Sequence, residues 1–298
     1  MQEYNQITIA VLLTCHNRRK KTLNCLESLY SAKCPTRQLD VFLVDDGSTD
    51  GTGEAIKFKF PKVVVIQGTG NLYWNQGMRL AWDTASKSRQ YDFYLWLNDD
   101  TLVKIDALIE LIQCFQEAMK KDQKPAIITG ACESTENKNI FSYGGKTDLG
   151  PVIPNGTLQP CKYINGNVVL VSNVIFNELG NLSPDYTHAM GDFDYGLRAI
   201  KAGYRCYTTK SYIAICPTNP GIPAWCNPNT PLLQRLRLLK SPKGLNIKEY
   251  NIFRKRFWGW KWIIYALKAY LKILYPSLYF KISSKSISDL SNIPKLKV

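Results

Sequence analysis

Residues 93–103 read FYLWLNDDTLV: five apolar side chains in a row, then Asn98, Asp99 and Asp100. An unbroken apolar run of this length suits a strand buried on both faces. Two ionised carboxylates side by side at its end repel each other, so a positive group is expected to compensate them. An Arg or Lys can do this, and so can a divalent cation. Mg2+ commonly takes one or two protein carboxylates and completes its shell with substrate phosphate and water. The plainer alternative is a pair of solvated acids opening a helix at Thr101.

The pattern recurs on either side. ITIAVLLT (7–14), VFLVDDGSTD (41–50) and VVVIQ (63–67) are further buried runs, the second again ending in acid. Between them lie helical spacings: TLNCLESLYSA (22–32), residues 54–60, NQGMRLAWDTASKS (75–88) and IDALIELIQCFQEAM (105–119). Alternating strands and helices predict an α/β fold, with a mainly parallel sheet, helices on both faces and ligands at the strands' carboxyl ends. Both acidic clusters fall at such ends.

After residue 125 the alternation loosens. AIITGA reads as a strand, 143–156 as a loop, NGNVVLVSNVIFNELG (165–180) as strand then helix, DFDYGLRAIKAGY (192–204) as a helix closed by Gly203, and YIAIC (212–216) as a late strand. The proline-rich CPTNPGIPAWCNPNTP (216–231) marks a break. A catalytic domain over 1–225 and a basic helical tail over 226–298 are expected.

An apolar fraction of 45% with 21% charge, over 298 residues, excludes wholesale disorder. The net charge of +14 is uneven: residues 231–298 hold 15 Lys and Arg against 2 acids, leaving 23 against 22 for residues 1–230. Nine cysteines without a CxxC pair, and an amino terminus without a signal-peptide pattern, predict free thiols in a reducing cytosol. No apolar stretch approaches the ~18 residues of a membrane-spanning helix. The two histidines, His16 and His188, are not clustered with other ligands, so zinc is not expected.

Four motifs bear on chemistry. DDGS (45–48) offers Asp45 and Asp46, either to a nucleobase N–H or simply to a turn or helix cap. GNLYWNQG (70–77) sets Gly70, Asn71, Trp74 and Asn75 at a helix entrance that suits a diphosphate, or that merely caps an amphipathic helix. The third is the Asn98–Asp100 cluster. In GDFDYGLRA (191–199), Asp194 and Arg198 are spaced to pair along a helix, leaving Asp192 for a cap or a general base.

Together and in this order, TCHNR (14–18), VDDGSTD (44–50), GNLYWNQG (70–77), LNDDT (97–101) and GDFDYGLRAIKAGY (191–204) resemble a family 2 glycosyltransferase with the Rossmann-like GT-A fold. The resemblance implies that Thr14 and Asn17 line the nucleobase pocket, that Asp46 receives the base N–H, and that Asp45 supports the loop. Gly70, Asn71, Trp74 and Asn75 would lie near ribose and diphosphate. Asn98 and Asp100 match the outer positions of a DxD-like motif, Asp100 holding Mg2+ or Mn2+ while Asp99 is structural. Asp192 matches the catalytic base of an inverting transfer from a UDP- or dTDP-sugar to a saccharide or polyprenyl-linked glycan in surface polysaccharide assembly. The Tyr73–Trp74 pair is similar to that of relatives that handle deoxysugars such as rhamnose.

Two positions depart from the family pattern. Gly191 stands where many relatives have Glu before the base, and Cys216 where many have a metal-ligating His. Metal binding is then expected to rest on Asp100, diphosphate and water, with Cys216 as an accessory, while His188 supports Asp192. The competing readings are a sugar-nucleotide pyrophosphorylase, which needs a glycine-rich basic loop where this chain has TCHNRRK, and a non-catalytic peripheral membrane or nucleotide-binding protein.

The segment FRKRFWGWKWIIYALKAYLKILY (253–275), wound as one helix, places Arg254, Lys261, Lys268 and Lys272 in a stripe beside aromatic and aliphatic residues. That pattern predicts an anionic membrane surface as a partner of 231–298, at the inner face of the plasma membrane. A helix packed with a solvated basic edge is the simpler account. No nucleic-acid partner is expected.

Overall fold

The computed structural model describes residues 7–34, 38–218, 221–279 and 281. In chain order the elements are β1 (Thr8–Cys15), α1 (Arg19–Ser31), β2 (Gln38–Asp45), α2 (Thr52–Lys59), β3 (Val64–Gln67), α3 (Tyr73–Ser88) and β4 (Phe93–Leu97). There follow β5 (Leu102–Val103), α4 (Ala107–Asp122), β6 (Ala126–Glu133), β7 (Phe141–Tyr143), β8 (Lys146–Thr147), β9 (Gly150–Pro151), β10 (Gln159–Cys161), β11 (Val168–Ser172), α5 (Asn173–Leu179), α6 (Gly191–Lys201) and β12 (Arg205–Ile215).

The central sheet runs β10-β12-β6-β11-β4-β1-β2-β3, with β5 beside β12 and β7 beside β6. Its half formed by β4, β1, β2 and β3 is wholly parallel. Strand β11 is inserted antiparallel between β4 and β6, with Val168 opposite Leu97. That reversal brings the start of β11 to the edge where β1, β2 and β4 end, so residues just before Val168 join those just after Leu97.

Side chains alternate between two cores, as period-two strands require. Ile9, Val11 and Leu13 of β1 and Phe93, Leu95 and Leu97 of β4 face α1 and α4 through Leu26, Leu29, Leu108 and Leu111. Ala10, Leu12, Tyr94 and Trp96 face the other way, onto Met78, Ala81 and Trp82 of α3 and Tyr195 of α6. Trp82, fully buried, meets Tyr94, Trp96, Phe176 and Tyr195 at centroid distances of 4.9 to 5.4 Å. Such pairs each contribute about 0.5–1.5 kcal/mol beyond area burial, and they fix α3, α5 and α6 on the sheet.

Two boundaries differ from the sequence reading. Strand β12 begins at Arg205, well before residue 212, because Thr208 and Thr209 are fully buried in the sheet despite their hydroxyls. The segment from 253 to 275 is two helices and not one, α8 ending at Trp258 and α9 starting at Trp262, with Gly259 between them at φ 53°.

The chain divides into two compact units, Met1–Asn219 and Pro220–Val298. The second contains α7 (Leu232–Leu238), α8 (Ile247–Trp258) and α9 (Trp262–Leu274) around Leu239, Leu245, Ala269 and Ile273. Arg235 is buried there and donates to the carbonyl of Ile273. No helix among the described residues is long and apolar enough to cross a membrane.

Candidate active site

The carboxyl ends of β1 and β2 are knitted together by their loops. Asn17, in the left-handed region at φ 51°, accepts from Thr49 N at 2.8 Å, and its own N–H donates to Ser48 Oγ at 2.9 Å. His16 Nδ1 lies 2.6 Å from Asp46 O; a carbonyl only accepts, so Nδ1 carries the hydrogen. Thr14 is half-buried beneath α3, close to Gly77.

Asp45 and Asp46 are both buried. Asp45 Oδ1 accepts from Ser48 N at 3.0 Å, which closes the turn. Asp46 spends both oxygens on backbone: Oδ1 on Gly70 N at 2.7 Å, Oδ2 on Leu72 N and Tyr73 N at 2.9 Å each. Charge-assisted bonds of this kind are roughly twice as strong as neutral ones, so Asp46 ties the 70–73 turn, and the exposed Asn71 on it, to the end of β2.

The repulsion posed by FYLWLNDDTLV is resolved by Arg18. Its guanidinium NH1 lies 3.0 Å from Asp99 Oδ1 and 3.0 Å from Asp100 Oδ2. Asp99 is 4% exposed and takes a further bond from Thr22 Oγ1 at 3.3 Å; Asp100 is the more open of the two. Burial pushes Asp99 up to about 6, against the pull of Arg18 and with the help of Asp100's charge.

A carboxyl held above its unfolded value keeps its proton longer in the fold. It therefore costs stability as pH rises from about 4 to about 6, and the cost is constant above that. Asp99→Asn is accordingly expected to raise Tm in metal-free buffer at about pH 8 by about 3 to 6 °C and to change it little near pH 4. Thermal melts at the two pH values check this, and an equal shift at both would contradict it.

Asn98 is held at both ends of its amide. Oδ1 accepts from Trp74 Nε1 at 2.7 Å, and Nδ2 donates to Asn167 Oδ1 at 2.9 Å. Asn167 in turn reaches Cys216 Sγ at 2.9 Å and Thr101 Oγ1 at 3.4 Å. One chain of amides thus links the starts of α3 and β11 to the ends of β4 and β12. Neither Arg18 nor Asn167 was assigned a role from sequence, although Arg18 stands in TCHNR and Asn167 in NGN, directly before an apolar run.

Asn75 is a correction. It is fully buried, and its Nδ2 donates to Ser183 O at 2.9 Å and Tyr186 O at 2.6 Å, so it anchors the 183–187 loop and is not placed to touch ribose or diphosphate. Its position also explains Gly191: a Cβ there would lie 1.9 Å from Asn75 Oδ1. A side chain at 191 would have to displace buried Asn75. Gly191→Ala is expected to cost about 1–3 kcal/mol of stability, read by denaturant unfolding, with wild-type stability contradicting the packing account.

Asp192 opens α6 half-buried, Oδ2 accepting from Gly166 N at 3.0 Å and Oδ1 from Phe193 N at 2.8 Å. Burial pushes its pKa up, opposed by those N–H groups and by Lys146. A Cβ on Gly166 would come within 2.3 Å of the Trp74 ring, so this glycine lets the loop reach Asp192 and the indole together.

Arg198, His188 and Cys216 remain to be placed. Arg198 makes the helical pair expected from its spacing: Nε pairs with buried Asp194 at 2.7 Å, and NH1 and NH2 donate to Leu179 O at 2.8 Å and Asn181 O at 3.0 Å. His188 meets Tyr73 edge-on at 6.0 Å. Cys216 Sγ accepts from Asn167 Nδ2 at 2.9 Å and lies 4.0 Å from Asp100 Oδ1, and burial pushes the thiol up to about 11.

Mg2+ and Mn2+ favour oxygen ligands. Among the described residues no three His, Cys, Asp or Glu side chains form a metal cage. The one carboxylate of the pair that is partly open, Asp100, is the oxygen donor such a cation would meet if it arrived with diphosphate and water.

The polar side chains gathered at the carboxyl ends of β1, β2 and β4, with Asp192 at the head of α6, lie where open α/β sheets bind ligands. The chain belongs to glycosyl transferase family 2, whose model matches residues 10–165. It is 29% identical over 180 residues to the poly-beta-1,6-N-acetyl-D-glucosamine synthase of Staphylococcus epidermidis, covering 58% of this chain and 40% of that one. To the synthase of Staphylococcus aureus strain COL it is 29% identical over 167 residues, 56% and 38% of the two chains. It thus spans about two fifths of the length of these curated relatives.

The mannosyltransferase PcManGT of Pyrobaculum calidifontis, solved with GDP-Man and Mn2+, superposes with TM-score 0.53 at 16% identity over 96% of this chain and 81% of that one. Residues 1–349 of Staphylococcus aureus TarS, solved with UDP-GlcNAc, give 0.55 at 12% over 90% and 81%. These likenesses show the GT-A fold.

Proposed function

We propose that the protein is an inverting, metal-dependent glycosyltransferase. It moves a sugar from a UDP- or dTDP-sugar to a saccharide or lipid-linked glycan acceptor in surface polysaccharide assembly, at the inner face of the plasma membrane. The observation that carries this reading is Asp192: a half-buried carboxylate oriented by Gly166 N and Phe193 N, its pKa raised by burial. Such a group takes the proton of an attacking hydroxyl better than an aspartate near 3.9 in water. Attack opposite the leaving diphosphate inverts the anomeric centre.

Asn17, Asp45, Asp46, Gly70 and Asn71 belong to the nucleotide side, with Thr14 beneath them. Their loops are already tied to one another, so little order has to be gained when the donor binds. Asp46 shapes this side by holding the 70–73 turn through three backbone N–H groups. Trp74, fixed through Asn98, offers a ring to the sugar or nucleotide. Asp100 would hold the cation, which when bound neutralises charge on the departing diphosphate. The names of the synthase relatives support glycan assembly as the setting, and the surplus of basic residues in 231–298 supports an anionic membrane surface as partner.

A panel of UDP- and dTDP-sugars, assayed with Mn2+ for donor turnover, tests the reading. Release of nucleoside diphosphate is expected from at least one donor. Release of pyrophosphate, or turnover of none, contradicts it.

A further inference from the structure

The basic stripe expected along 253–275 is not what the second unit presents. Arg254 lies over the rings of Tyr250, Trp258 and Tyr265, at 5.0, 4.6 and 4.3 Å from their centroids, and Lys272 lies 4.6 Å over Tyr279. Two of the four cations are thus withdrawn into aromatic contacts. What α9 exposes instead is hydrocarbon.

This helix is apolar on two sides and carries no acidic residue. Ala266, Ala269 and Ile273 on one side are buried, the last two in one cluster with Leu239 and Leu245 against which Trp225 packs. On the other, Ile263, Ile264, Leu267, Tyr270, Leu271 and Leu274 are each 42% to 59% exposed, and Trp260, just before the helix, is 71% exposed. A helix of a water-soluble surface carries charge or polar groups at such positions, and a contiguous exposed apolar face marks an interaction surface. Lys261 and Lys268 are exposed on the same helix region.

We propose that this face of α9 is a shallow insertion surface for an anionic lipid bilayer. The aliphatic side chains enter the boundary between headgroups and acyl chains. Trp260 and Tyr270 sit at that boundary, and Lys261 and Lys268 lie among the phosphates. Charge selects the occupant: residues 231–298 carry 15 basic and 2 acidic residues, so a second copy meets this face with strong like-charge repulsion, whereas an anionic membrane attracts it. The inference deepens the membrane part of the reading above, from electrostatic attraction to apolar burial, and does not depend on the catalytic assignment.

The two contributions respond differently to salt. Attraction between Lys and lipid is screened within a Debye length, while apolar burial is not weakened by salt. The test is sedimentation of the full chain with vesicles of phosphatidylcholine containing about 30 mol% phosphatidylglycerol, at about 0.1 M and about 0.5 M salt. Leu267→Gln with Leu271→Gln is expected to lower partitioning at least about 30-fold at both salts. Lys261→Gln with Lys268→Gln is expected to lower it about 5- to 30-fold at low salt and less than about 3-fold at high salt.

Ile263→Gln with Leu274→Gln provides a second apolar variant, and an unchanged melting temperature in each shows that the fold persists. Rates of donor turnover in solution are expected to match wild type in all three. Absence of wild-type binding, or wild-type binding by both apolar variants, overturns the proposal. So does self-association of the wild type without lipid that the Leu variants abolish. A protein that binds vesicles but turns over no donor leaves this proposal standing and sinks the catalytic one.

Discussion

Replacing Asp192 with Asn is expected to lower turnover by about 10²- to 10⁴-fold while donor affinity stays within about twofold, since this is the range that a positioned general base contributes. Asn keeps the shape, and its amide oxygen can still accept from Gly166 N, so the loop that carries Trp74's neighbour is not released. What Asn cannot do is accept a proton near neutral pH. Single-turnover rates and donor binding by calorimetry separate the two quantities. Near-normal turnover removes Asp192 from the role, and a parallel loss of binding shows that its function is to hold the loop.

The second large effect is expected at Asp100. Asp100→Ala should bring donor affinity in the presence of Mn2+ down to its metal-free level, a loss of at least about 100-fold in metal affinity, because a direct ligand matters no less than the outer partners whose removal costs 10–100-fold. Asp99→Asn should retain metal-dependent binding. The contrast rests on burial: Arg18 pairs with both, but Asp99 is shut in with Thr22 as a further partner, while Asp100 is the more exposed of the two. Equal losses in both variants would mean that the pair acts as one unit with Arg18.

Much of this was legible because it is local. The apolar runs at 7–14, 41–45 and 93–97 read as buried strands, and the acids that end the second and third lie along one edge of the parallel half of the sheet. The Asp194–Arg198 pair followed from helical spacing alone. The misses are long-range. Asn75 is buried by a loop more than 100 residues away in sequence, and nothing near GNLYWNQG announces that loop.

Arg18 could have been inferred as the missing positive charge, but which basic residue of HNRRK turns inward depends on the twist of the loop after β1. The antiparallel insertion of β11, which puts Gly166 beside Asp192, is a property of topology, and periodicity carries no record of strand direction. In the tail, a wheel drawn through residues 253–275 assumed a continuous helix that Gly259 interrupts.

The anomeric configuration of the transferred sugar tests the central claim most directly. With a donor of known configuration and a purified acceptor, proton NMR of the first product formed is expected to show inversion, at a rate that Asp192→Asn lowers by about 10²- to 10⁴-fold. Retention of configuration, or inverted product from the Asn variant at the wild-type rate, would contradict the account.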